Sequence, residues 1–130
     1  MPFRDTKSTA LLILRLVLAV LMFIHGAARI AYGTVDDFGG FLTNNGIPLG
    51  FYAAWAITLF EIVGSVLLAA GYYTWIVASV FAVELIVGIL LVHYKEGWFV
   101  VGHGRNGVEY SILLIASFVT IASANFKRGK

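Results

Sequence analysis

Four apolar stretches divide the chain, running from about Ser8 to Tyr32, Leu49 to Gly71, Tyr73 to Tyr94 and Val108 to Phe126. Each is longer than the ~17 residues a helix needs to cross a bilayer. The pattern therefore predicts an all-α polytopic membrane protein: an antiparallel four-helix transmembrane bundle, with residues 1–130 as one domain. The second and third stretches meet at a turn around Gly71 to Thr74, which predicts a tight helical hairpin with Tyr72, Tyr73 and Trp75 at the headgroup level. The other two connections, Asp36 to Gly50 and Lys95 to Gly107, are rich in Gly and Asn and read as turn-forming loops. Arg4 and Lys7 ahead of an apolar run imitate a secretory signal. Arg15 interrupts that run, however, and its length exceeds a signal's apolar region, so the segment is expected to remain as a span.

Composition strengthens the membrane reading. Hydrophobic residues make up 60% and charged residues 12%, with mean hydropathy +0.90, against about 45–50% and about 25% in soluble domains. The net charge is +2. Its basic residues sit mainly at the ends: Arg4, Lys7, Lys127, Arg128 and Lys130, against Arg29, Lys95 and Arg105 at the two longer loops. Five against three favours both termini in the cytoplasm, with both long loops on the outer face. Such a distribution suits membrane orientation and not nucleic-acid binding. Cysteine is absent, which excludes disulfides, thiolate metal sites and iron–sulfur ligation by this chain.

The charges inside the spans carry the candidate chemistry. Residues 38–60 and 62–83 are uncharged, so Glu61 and Glu84 each stand alone at membrane depth. A charge there costs roughly 2.5–3.5 kcal/mol on insertion scales and marks a functional site by default. The functional reading is proton transfer or binding of a polar ligand; the structural one is an ion pair that fixes helix packing. Counting depth along each span puts Arg15 nearest the two carboxylates, so it is expected to pair with Glu61, Glu84 or both. The same count gathers His25, Arg29, His93 and Glu109 toward the outer side, where they are expected to border a pocket closed by the loop Gly97 to Gly107. His25 and His93 read as proton-relay or ligand contacts, with bis-His haem ligation the weaker alternative and no metal site assigned. Trp98 and Phe99 lie in that loop as interfacial anchors or, alternatively, as a lid or quinone-ring contact. Gly102 to Gly107 spells Gly-x-Gly-x-x-Gly, but no strand precedes it and a dinucleotide-binding turn is rejected. Gly64, Ser65 and Gly88 are expected to permit close helix packing.

Several of these residues fall in an order that resembles the DoxX family of small four-helix membrane proteins. They are Arg15, His25-Gly26-Ala27-Ala28-Arg29, Gly46-Ile47-Pro48, Glu61-Ile62-Val63-Gly64 with Gly71, His93-Tyr94-Lys95-Glu96-Gly97-Trp98-Phe99, and Gly107-Val108-Glu109-Tyr110 with Leu113-Leu114. Arg29 stands where the family often has lysine, and Ser123-Ala124-Asn125-Phe126-Lys127 replaces a Gly-rich tail. The resemblance implies a bacterial cytoplasmic (inner) membrane protein related to subunits of quinone-linked electron transfer. The function expected is therefore a membrane subunit of, or accessory to, a quinone-linked oxidoreductase, at most a quinone-interacting subunit and not a self-contained enzyme. The alternatives are a small proton-coupled transporter or ligand-binding protein, and a structural assembly subunit. The expected partners are the lipid bilayer, a protein of a redox complex and a second copy of the chain, with no nucleic acid. No cofactor is expected in the chain itself, and quinone is the one such molecule the reading admits.

Overall fold

The computed structural model describes residues 6–126, which form five helices. Four are long and apolar enough to cross a membrane: α1 Thr6–Ala31 (26 residues), α3 Gly50–Ala70 (21), α4 Thr74–Glu96 (23) and α5 Glu109–Phe126 (18). They lie where the hydrophobic pattern places them, and no strand occurs among the described residues. The chain is all-α and multi-pass. The terminal charges Arg4, Lys127, Arg128 and Lys130 used in the orientation count lie outside the described residues.

The fifth helix corrects the sequence reading. α2 spans Val35–Asn44, inside a segment expected to be a turn-forming loop. The Gly39-Gly40 and Asn44-Asn45-Gly46 runs favour a turn locally, but Val35, Gly39 and Leu42 share one helical face and are buried. Asp36 and Asp37 occupy its first turn, where negative charge complements the helix dipole. Gly39 is needed at its position: a Cβ there would sit 2.9 Å from the Phe51 Cα on α3. Packing against α3 thus overrides the glycine propensities.

The helices group into two compact units, one of residues up to Leu14 and from Gly71 onward, the other Arg15–Ala70. In the second unit, α3 buries Gly50, Ala54, Thr58, Glu61, Gly64, Ser65 and Leu68 and exposes Leu59, Val63 and Val66. A small, polar stripe inside with branched aliphatics outside suits a helix whose surroundings are lipid, where apolar side chains gain nothing by turning inward. In the first unit, α4 and α5 run antiparallel. Phe81 meets Phe118 with ring centroids 5.2 Å apart, and Trp75 meets Phe126 edge-on at 4.8 Å. The turn before α4 has Gly71 at φ 88° and Tyr73 at φ 55°, both in the left-handed region.

α4 is not uniform. Ile89–His93 form a π turn, in which the Tyr94 N–H bonds the Ile89 carbonyl five residues back. After Glu96 the chain folds on itself: the N–H groups of Gly107, Val108 and Glu109 bond the carbonyls of Phe99, Gly97 and Trp98 at 3.1, 2.9 and 3.0 Å. The loop therefore satisfies part of its own backbone.

Candidate functional site

The buried charge in the Arg15–Ala70 unit is Glu61, whose side chain is 3% exposed. Its partner is Arg29 near the end of α1, a pairing the sequence reading did not single out. Arg29 Nη1 donates to Glu61 Oε1, and Nη2 lies 3.5 Å from Oε2, a two-pronged arrangement that matches the planar fork to the carboxylate. The same Nη1 lies 3.4 Å from Thr58 Oγ1, one turn before Glu61 on the same buried face. Phe38 of α2 covers the guanidinium, its ring centroid 4.5 Å from Cζ, within the range of a cation–π contact. Arg29 keeps 21% of its side chain exposed, so the carboxylate is the more enclosed member of the pair.

A glycine sets this geometry. Gly26, one turn before Arg29, is buried against α3, and a Cβ there would sit 2.9 Å from the Thr58 carbonyl and 3.0 Å from both Glu61 Cβ and Ile62 Cγ1. Without a side chain at residue 26, α1 comes close enough to α3 for Arg29 to lie across Glu61. Ser65 Oγ donates to the Glu61 main-chain carbonyl and fills the next turn of the stripe.

The remaining sequence candidates divide between the two units. In the unit holding Arg29 and Glu61, Arg15 is half-buried and His25 is exposed on α1. In the other, Glu84 is half-buried on α4, and His93 and Glu109 grip the loop between α4 and α5. His93 Nδ1 donates to the Asn106 carbonyl at 2.6 Å, and Glu109 Oε1 accepts the Val100 N–H at 3.1 Å. Trp98 and Phe99 are exposed on that loop, and Phe99 stacks edge-on with His103 at 5.4 Å. Gly107 is buried there because a Cβ would overlap the Trp98 carbonyl group.

Thr58, Phe38, Gly26 and Asn106 were not among the sequence candidates. Thr58 was detectable, three residues before Glu61 and so on the same helix face. Phe38 depended on recognising α2, and Asn106 acts through its backbone, which its side chain does not announce.

The sequence pattern of the DoxX family matches residues 10–94, which include Gly26, Arg29, Phe38, Thr58, Glu61 and His93. The chain is 29% identical over 117 residues to "Putative oxidoreductase CatD" of Bacillus subtilis (strain 168), an alignment covering 88% of this chain and 80% of that protein. No solved structure matches. With most of its length inside the family pattern and four apolar spans, this multi-pass membrane protein belongs to the DoxX family.

Proposed function

We propose that the chain is the membrane subunit of a quinone-linked oxidoreductase system, with the Arg29–Glu61 pair as the polar centre where a quinone ring and its proton are met. The observation that carries this reading is the pair itself: a carboxylate buried within a membrane span and held by an arginine whose side chain is only partly enclosed. Intramembrane ionisable pairs of this kind mark proton or ligand sites. The name of the Bacillus subtilis relative supports the redox class. Arg29 then orients a ring oxygen through its remaining N–H groups. Oxidation of a hydroquinone gives two electrons to a partner protein and releases two protons, one taken by Glu61 and the other by water, and the reverse direction returns both. Within the Arg15–Ala70 unit, Arg15 and His25 belong to the same reading as contacts along the ligand or proton route.

Native mass spectrometry of the detergent-extracted wild type tests this. A quinone is expected to co-purify and to be lost in Glu61→Gln. Recovery of the chain without quinone or redox partner, from membranes whose quinone reduction is unchanged when the chain is deleted, would overturn the reading.

The orientation that belongs to it has both termini in the cytoplasm of a bacterial inner membrane, as the terminal basic residues favour. Single cysteines at Ser8, Asn45, Thr74 and Asn106 are expected to react with an impermeant reagent from outside only at the second and fourth positions. Reaction of Thr74→Cys from outside reverses the topology.

A further inference from the structure

We propose that His93 Nε2 is a preset hydrogen-bond acceptor for a hydroxyl borne on an aromatic ring, the hydroquinone form of the ligand class inferred above. The proposal rests on the quinone reading and concerns a contact within the unit that holds α4 and α5.

The inference starts from what the Asn106 carbonyl demands. A carbonyl oxygen accepts only, so His93 Nδ1, 2.6 Å away, carries the hydrogen. In the neutral imidazole the other nitrogen then holds a lone pair. No described residue donates to Nε2. The ring is thus fixed in one tautomer and one orientation with an acceptor left over, as when a backbone carbonyl orients a histidine for a ligand on its far nitrogen.

Two departures from regular backbone converge on this bond. His93 is the last residue of the π turn Ile89–His93, and such turns occur frequently at functional sites. One extra residue per turn rotates the downstream part of the helix by roughly 100° relative to a regular α-helix, so the turn decides where the imidazole points. On the other side of the bond, Asn106 adopts φ 56°, the left-handed conformation that asparagine takes more readily than most non-glycine residues, and its carbonyl meets the ring. Glu109 already ties the loop through the Val100 N–H, and three backbone bonds close it. The surroundings suit a ring: Trp98, Phe99 and Val101 of the same loop are exposed and apolar. The ligand is one that brings its own hydrogen, because Nε2 has none to give.

Two side-chain replacements separate the tie from the acceptor. In His93→Asn the amide nitrogen can take the place of Nδ1 and keep the bond to Asn106 while Nε2 disappears; in His93→Gln the amide reaches the Nε2 position. Menadiol, which has hydroxyl donors, and menadione, which has none, are titrated against the full chain in nanodiscs. Loop integrity is read separately from hydrogen exchange at the Val108 and Glu109 N–H groups. Wild type is expected to bind menadiol more tightly than menadione. His93→Asn is expected to keep the loop protected while its menadiol affinity falls by about 3- to 10-fold, the worth of one hydrogen bond, with menadione unaffected. His93→Gln is expected to retain part of the preference.

A wild-type chain that binds both compounds equally, or a loop-protected His93→Asn that keeps the preference, overturns the role of Nε2 and leaves the quinone reading standing. If the wild type binds neither compound, both fall. Should His93→Asn lose the loop, nitrogen-15 histidine spectra of the wild type decide, with His93 assigned by substituting His25 and His103. The Nε2 resonance moves with menadiol and not with menadione if the proposal holds, and is unmoved by both if it does not.

Discussion

Arg29→Met is expected to lower the stability of the detergent-solubilised protein by about 3–5 kcal/mol, the usual result of stripping one partner from a buried ion pair. Glu61 is sealed among α1 and α3 side chains, and among the described residues no other cation is bonded to it. Its charge would be left in a medium that cannot solvate it. Arg29→Met combined with Glu61→Leu is expected to recover most of the loss, because a pair of apolar residues of similar bulk costs no desolvation. Thermal melts of the wild type, both single variants and the double variant form the cycle that isolates the coupling. Simple additivity would mean that Arg29 and Glu61 do not sense each other. Arg29→Lys should fall between, since an ammonium keeps the charge but cannot reproduce the two-pronged fit.

Gly26→Val should act on the same pair without touching either charge. Its Cβ alone would press on the Thr58 carbonyl and on Glu61 Cβ, and two further methyl groups leave no room at the crossing of α1 and α3. Overpacking typically costs about 1–3 kcal/mol. The crossing must also open, and Arg29 then loses its reach to Glu61, so the loss is expected at or above the upper end of that range. The two contributions separate in the Arg29→Met, Glu61→Leu background, where only the steric part remains. Equal losses in both backgrounds would show that the close approach does not serve the ion pair.

The spans were legible because lipid imposes one rule on length and polarity, and residues such as Glu61 stand out against it. Its partner was not legible, for a geometric reason. Counting 1.5 Å per residue from each boundary puts Arg29 at the outer level and Glu61 near the middle, as though side chains ended at the helix surface. An arginine side chain is long enough to cross that difference. α2 also intervenes between α1 and α3, so the start of α3 at Gly50 does not mark the level at which α1 ends. The signal for α2 was present in Val35, Phe38 and Leu42, spaced by three and four, but the adjacent glycines argued locally for a turn. One of those glycines, Gly39, is what lets α2 lie against the α3 backbone. His93 was singled out for its chemistry, while its orientation depends on a backbone irregularity that no side-chain pattern encodes.

The wide turn in α4 also bears on how this chain tolerates change in length. The part of α4 before Ile89 is held in rotational phase by Phe81 against Phe118, and the part after it by His93 against Asn106. One surplus residue lies between these two fixed points. A descendant that lost a single residue from Ile89–His93 could revert to regular α-helix with its aromatic contact intact, yet its imidazole would swing away from the loop. Length at this point is therefore a coarse dial, one residue per step, that re-aims the loop end of the helix while leaving the aromatic pair at Phe81 untouched.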